Sequence, residues 1–364
     1  MSAQESMVDA TARYESWLSK QLSIVGADLK TKHTEMAESP FLFLRATFYR
    51  WVQLYPSICP EEFASPEVLA VGDLHLDNFG TWRDAEGRLV WGINDFDEAS
   101  NLPYTYDLVR LATSALLDAD AKGISASAGE ICANILEGYT QAIQSGGEPF
   151  VLEEEHAWLR EFASESIRDP AAFWEKLEGK TVASVEVPPE VKEMLQKELP
   201  EPGTAVKIAH RTAGLGSLGR RRFVAIGTWR GGLFAREAKE LCASACLWEK
   251  AAGGEINYDK IVGSSVRALD PFVHQRSRWI IRRLSPDCTR IDVSALPRKK
   301  DNLKLLKAMG KETANIHLGS AARLAQVRAD LKKRKASWLQ SAAEKMNTAV
   351  TDDWKQWKKD RPQK

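Results

Sequence analysis

The sequence predicts an α+β protein of two lobes, a large helical one and a small antiparallel-sheet one, and three patterns carry the prediction. Apolar residues recur at helical spacing through most of residues 1–60 and 103–200. Between 205 and 240, and again at Trp279–Leu284, short alternating segments are separated by glycines, as in a small antiparallel sheet. Two acidic runs, GDLHLDN at Gly72–Asn78 and NDFDEA at Asn94–Ala99, each close a short apolar strand.

Length and composition bound the function. The chain has 364 residues, 44% hydrophobic and 27% charged, enough for two packed lobes around a cleft. Lysine plus arginine and aspartate plus glutamate stand at 50 each, so no net basic field draws in nucleic acid or a membrane surface. No apolar run nears the roughly 20 residues of a membrane span. The polar first residues carry no secretory-type apolar stretch. Five cysteines, without a CxxC pair, fit a reducing cytoplasm. Cys242 and Cys246 fall four apart on an expected helix. Cys246 could be reactive or metal-binding, but two small buried apolar side chains are the favoured reading.

Taken in order, residues 1–60 read as helices. Leu42, Ala46, Tyr49 and Val52 share a face of one helix that stops near Pro56. Val68–Val71 and Leu89–Ile93 read as strands, with Arg83–Gly87 as the turn of a hairpin. The stretch from Pro103 to about 200 reads as helical, and prolines 188, 189, 200 and 202 mark a lobe boundary near 200. Ala205–Ala209, Arg222–Ile226 and Leu233–Ala238 are strands, and a helix is expected over Lys239–Ala252. Residues 301–318 and 321–358 return to helix, the last one long and lysine-rich. Its Trp338, Trp354 and Trp357 are expected to pack onto the lobe rather than to stack on nucleic acid bases.

The acidic runs carry the chemistry. Phosphoryl transfer asks little covalent work of a protein: a carboxylate to orient or deprotonate the acceptor hydroxyl, and hard oxygen ligands for Mg²⁺. Asp73, Asn78 and Asp95, at the ends of two neighbouring strands, supply such a set. The D-L-x-x-x-N spacing equals that of the kinase catalytic loop, and D-F-D resembles its metal-binding D-F-G. Binuclear metallophosphoesterases share the G-D-x-H letters, but they need several further histidines, and this chain has 6 in all. A hydrogen bond that braces the loop is the expected role of His75.

These residues resemble the catalytic and metal loops of the protein-kinase-like superfamily, closest to its aminoglycoside and choline phosphotransferase branch. The resemblance implies that Asp73 is the catalytic base, Asn78 a metal ligand and Asp95 the principal metal ligand. Asp97 stands where D-F-G has its glycine and is a further candidate ligand. Asp107, in Pro103-x-x-x-Asp107-Leu108, matches the branch's loop-bracing aspartate.

Gly214-Leu215-Gly216-Ser217-Leu218-Gly219 contains GxGxxG, which by itself separates nothing. A dinucleotide fingerprint opens a helix, whereas here a strand follows, as in the phosphate-cradling loop of kinases. Gly214, Gly216, Ser217 and Gly219 are therefore candidate nucleotide-binding residues, and Lys239 on the next strand is the candidate partner of the α- and β-phosphates. Arg236 competes for that role. The carboxylate that would hold Lys239 is open among Glu249, Glu240 and Glu255.

Since the glycine loop and lysine follow the acidic loops, the chain resembles a circularly permuted kinase-like fold. It implies a helical catalytic and metal lobe over 1–200, a β-rich nucleotide lobe over 201–290 and, over 291–364, helices that return to the first lobe. A hinge would lie near Arg282–Pro286. The order, with Ser39-Pro40-Phe41 through Arg45 and Met309-Gly310 through His317, is also similar to a bacterial family, a domain of unknown function. The expected activity is ATP- and Mg²⁺-dependent phosphotransfer to a small-molecule hydroxyl. Nucleotidyl transfer and a nucleotide-binding pseudoenzyme or scaffold are the alternatives.

Overall fold

The computed structural model of the chain describes residues 5–122, 126–153, 155–166, 169–182, 185–248, 254–291, 296 and 298–361. Five helices open it: α1 (Met7–Ser19), α2 (Gly26–Glu35), α3 (Pro40–Ala46), α4 (Phe48–Ile58) and α5 (Pro60–Phe63). Ser39 starts α3 by accepting the Leu42 N–H at its hydroxyl, with Pro40 in the first turn where no N–H is needed. The single helix expected through Gln53 is broken at Thr47, whose φ of −123° leaves the helical region. Pro56 lies inside α4 instead of ending it, because buried Leu54 and Tyr55 hold the last turn against the core.

The strands β1 (Glu67–Ala70), β2 (Phe79–Arg83), β3 (Leu89–Ile93) and β4 (Ser100–Pro103) follow. β1 pairs antiparallel with β4, and β2 with β3 in the expected hairpin. Its turn is held by Asp84, whose Oδ1 accepts the N–H groups of Glu86 and Arg88. α6 (Tyr104–Lys122) and α7 (Ala128–Ser145) come next, α7 opening on a Ser127–Glu130 capping box. β5 (Phe150–Val151) joins β3. α8 (Ala157–Ser166), α9 (Pro170–Gly179), β6 (Thr181–Val182) and α10 (Pro189–Lys197) complete the mainly helical stretch.

A six-stranded antiparallel sheet in the order β10-β11-β9-β8-β7-β6 forms the second layer. Its further strands are β7 (Val206–Arg211), β8 (Arg222–Trp229), β9 (Gly232–Glu240), β10 (His274–Arg276) and β11 (Trp279–Leu284), with α11 (Tyr258–Ser264) between β9 and β10. Alternation decides its two faces. Phe223, Ala225, Ala238, Trp279 and Ile281 pack on Val191 and Leu195 of α10. Val224 and Ala235 pack on Leu177 of α9. The sheet thus recruits residues from about 170 onward, earlier than the boundary expected near 200, because both faces need cover and β6 pairs with β7.

The helix expected over Lys239–Ala252 is absent among the described residues. β9 runs through Glu240, the Leu241 N–H bonds the Arg278 carbonyl at 2.7 Å, and only a single 3₁₀ turn, Ala245–Leu247, follows. Pairing with the neighbouring strand overrides local helical spacing here. Cys242 and Cys246 are buried and lie on no α-helix, Cys246 falling within the 3₁₀ turn, and burial pushes the Cys242 thiol up to about 11.

α12 (Lys299–His317), α13 (Leu324–Lys333) and α14 (Trp338–Asp360) close the chain. The last stretch is two helices, not one: Arg334 turns extended (ψ 143°) while its guanidinium holds Asp330 and Ser65. α12 lies backbone to backbone on α7. A Cβ at Gly138 would fall 1.9 Å from the Lys307 carbonyl oxygen, and one at Gly310 would fall 2.0 Å from that of Ile135. α14 packs along α6, with Trp338 and Trp357 buried. Trp354 and Trp357 donate to the Ala37 and His33 carbonyls. Among the described residues no helix is long and apolar enough to cross a membrane.

Candidate functional site

The first acidic loop leaves β1 through Gly72, whose φ of +82° and close approach to the Glu98 carbonyl leave no room for a Cβ. Asp107 at the start of α6 fixes the loop, its carboxylate accepting the N–H groups of Val71 (2.7 Å) and Gly72 (2.9 Å). His317 Nε2 lies 3.0 Å from the same carboxylate, and Tyr139 Oη lies 2.9 Å from His317 Nδ1. Farther along, the Asp77 N–H donates to His75 Nδ1 and the His75 N–H to Asn78 Oδ1 at 2.6 Å. His75 therefore braces the loop. Burial, with Arg45 and Arg110 nearby, keeps its ring neutral by pushing its pKa well down.

Asp73 points into the cleft. Its Oδ1 accepts from Arg110, which is itself buried between Phe48 and Trp51. Burial nevertheless outweighs Arg110 and pushes the carboxyl up to about 7.

The Asn94 N–H bonds the Asn78 carbonyl at 3.0 Å and thereby holds the second acidic loop against the first. Lys239, 144 residues on from Asp95, places Nζ 3.3 Å from both Asp95 carboxylate oxygens and 2.5 Å from Asp97 Oδ2. Desolvation in the cleft works against the Asp95 charge, but Lys239, Asp97, Arg282 and Arg222 together outweigh it and hold that carboxyl low. Burial and the charge on Asp95 push Asp97 upward. Asp97 Oδ1 is buried and has no hydrogen-bond partner.

The glycine loop crosses above Asp73. Gly214 has a φ of +80°, and Leu215–Ser217 make a 3₁₀ turn before β8 begins, so a strand follows the motif. A Cβ at Gly216 would lie 3.0 Å from the Arg45 carbonyl oxygen and 3.5 Å from Asp73 Oδ2. Ser217 Oγ accepts from Arg222 at 2.7 Å. A cavity of about 410 Å³ lies between these loops, and Asp73, Asn78, Asp95, Asp97, Gly214, Gly216 and Ser217 all line it. Two sequence-predicted residues do not line it. Gly219 (φ +98°) packs against Leu29 of α2, and Lys239 is sunk behind its two aspartates.

Several participants are legible only in three dimensions. The strand register places Lys239 opposite Arg222 on β8 and Ile280 on β11, and one pleat repeat back it aligns Glu237 with Val224 and Arg282. Glu237, fully buried, holds Arg211, Arg222 and Arg282, and the three arginines line the cavity. Arg236, the competitor for the lysine's role, points away to the Glu198 carbonyl and Phe272. Of the possible lysine partners, Glu240 is taken by Arg221, Glu255 is exposed, and Glu249 lies outside the described residues. Arg45 lies at the site as well, where it meets Asp77 at 2.8 Å.

Charge around the cavity is uneven, although the chain is neutral. Eleven lysines and arginines line it against six aspartates and glutamates among the described residues, so it favours an anionic occupant. No cluster of three His, Cys, Asp or Glu side chains suited to a metal occurs among the described residues. Any cation site here would draw on amide oxygen as well as carboxylate.

The fold and site together define a mixed α+β protein whose two acidic loops and glycine loop enclose one anion-attracting cleft. Residues 25–173 match a family described as an uncharacterized protein conserved in bacteria (DUF2252). That stretch contains both acidic loops, Arg110 and Asp107, and ends within α9, before the glycine loop. No curated protein and no solved structure matches the chain.

Proposed function

We propose that this protein is a permuted kinase-like phosphotransferase that binds Mg-ATP in the cleft and transfers the γ-phosphoryl group to a hydroxyl of a small molecule. One observation carries the reading: Asp73, Asn78, Asp95, Asp97 and the Gly214–Ser217 turn, from two distant parts of the chain, surround one cavity, with Lys239 bonded to its acidic edge. Nothing in local sequence forces that convergence.

In this reading the glycine turn approaches the phosphates with its backbone N–H groups, and Arg222 at Ser217 adds positive charge beside them. Asp73 Oδ1 is anchored by Arg110, which leaves Oδ2 to orient and deprotonate the acceptor hydroxyl. Mg²⁺ would be held by Asn78, Asp95 and Asp97, where it would neutralise phosphate charge. The unpartnered Asp97 Oδ1 and the half-exposed Asp95 suit a hard cation. The Lys239 ammonium serves both carboxylates as counter-ion and would have to leave them to reach a nucleotide. The catalytic and metal lobe would run from the N-terminus to about 170, the nucleotide lobe from there to about 290, and the last helices would brace the first lobe.

Lys239 also favours a second reading, a nucleotide-binding module without turnover, because it pairs with the metal-loop aspartates and has no glutamate partner among the described residues. Incubation with Mg²⁺ and ATP labelled separately at the α- and γ-phosphates tests the set. Release or transfer of γ-label supports phosphotransfer, α-label on an acceptor supports nucleotidyl transfer, and binding without either supports the module. Absence of Mg-ATP binding, or equal binding by Asp95→Ala, refutes the phosphotransfer reading.

A further inference from the structure

We propose that the acceptor is an anion, and that Arg45 and Arg290 seat its carboxylate or phosphate group beside Asp73. The acceptor role rests on the phosphotransfer reading above; the anion seat does not.

Asp77, on the same turn as Asn78, is 31% exposed at the cavity wall, and a single oxygen of it, Oδ2, takes both Arg45 (2.8 Å) and Arg290 (2.6 Å). One carboxylate thus faces two guanidiniums, each built to grip an oxyanion with two parallel N–H groups. Arg45 Nε is buried and has no hydrogen-bond partner, a cost that a bound oxyanion would remove. Burial pulls the Arg45 pKa down even with Asp77 in contact, as expected of an incompletely compensated cation.

A third cation adds to the excess. Lys32 of α2 is 5% exposed and lines the same cavity. Its Nζ donates to the Gly216 carbonyl at 3.1 Å and has no carboxylate within ion-pair distance among the described residues. Burial pulls it down to about 8, so it still carries its charge at neutral pH. The Asp73 side of the cleft therefore holds two cations on Asp77 and a third, Lys32, at the glycine turn, while Arg110 takes Oδ1 of Asp73. A neutral or cationic acceptor would leave that charge uncompensated, and an anionic one would neutralise it while bringing its hydroxyl to Asp73.

A three-carbon series tests this on the full chain: glycerol 3-phosphate, glycerate and neutral glycerol, followed by calorimetry with and without saturating Mg-ATP. The proposal expects at least one of the two anions to bind and glycerol not to, and which anion wins separates phosphate from carboxylate. Arg290→Met, at the exposed rim, should weaken the bound anion about tenfold or more, the worth of one charged hydrogen-bonded contact. Asp77→Asn should tighten it several-fold, because it removes the internal competitor. A merely structural Asp77 would not give that rise. Equal binding of glycerol, no anion binding, or unchanged affinity in both variants would overturn the seat. Complete competition by Mg-ATP would also overturn it by assigning these cations to the nucleotide's phosphates. Anion binding without any Mg-ATP binding would remove the acceptor role and, with it, the phosphotransfer reading. Mg-ATP binding without anion binding would leave that reading standing and sink this one.

Discussion

Replacing Asp107 with alanine should unfold the protein's most economical brace. The carboxylate is wholly buried and accepts three hydrogen bonds, from the backbone N–H groups of Val71 and Gly72 and from His317. Alanine leaves the two N–H groups without an acceptor in a site closed to water, at about 1–3 kcal/mol each, and strands His317 on its Tyr139 contact alone. The expected loss is about 3–5 kcal/mol, a large share of a typical total of about 5–15 kcal/mol. Asparagine keeps one acceptor oxygen and should lose about half as much. Tyr139→Phe, which removes only the outer contact, should cost about 1 kcal/mol. Urea titration followed by tryptophan fluorescence measures these losses, with 12 tryptophans as reporters. A loss for Asp107→Ala below about 1 kcal/mol at an unchanged slope would refute the reasoning, because it would mean the two N–H groups find other partners at no cost.

Three further expectations follow from the same geometry. Lys239→Met leaves Asp95 and Asp97 without their shared cation, so it should lower the melting temperature in chelator. If those carboxylates are metal ligands, Mg²⁺ should then raise it more in the variant than in the parent, and equal Mg²⁺ shifts would count against a metal role. Asp73 has its pKa raised from 3.8 to about 7, so phosphotransfer that uses it as base should climb with pH through about 7 and level off above. Asp73→Asn should abolish that dependence, with a rate loss of about 10²–10⁴-fold. The sign for stability is opposite: the folded chain ionises this group less readily than the unfolded one, so its contribution falls as pH rises from 3.8 through about 7. Gly310→Ala would drive a Cβ to 2.0 Å from the Ile135 carbonyl. It should cost about 1–3 kcal/mol or more by parting α7 from α12, measurable as a melting shift, whereas a neutral result would mean the two helices are looser than their contact implies.

Local features were legible because they are written over a few residues. The acidic loops at strand ends, the turn at Arg83–Gly87, the strand Trp279–Leu284 and the glycine turn leading into a strand each follow from short-range pattern, and the structure has elements there. The helix expected after Lys239 failed because its residues had a better offer from a neighbouring strand, with Leu241 bonding Arg278. The break at Arg334 is not legible locally for a similar reason: the guanidinium reaches Asp330 and Ser65, and Ser65 belongs to a distant segment.

For the acidic runs the division is plain. Sequence by itself determined that Asp73, Asn78 and Asp95 sit beside strand ends with D-L-x-x-x-N spacing in the first loop, since spacing is a property of the chain. Only the tertiary structure decided their partners: Arg110 on Asp73, Lys239 on Asp95 and Asp97, and Arg45 with Arg290 on Asp77. Those pairings join residues up to more than two hundred positions apart. They exist because burial makes an unpaired charge costly, and only packing brings its counter-charge within reach.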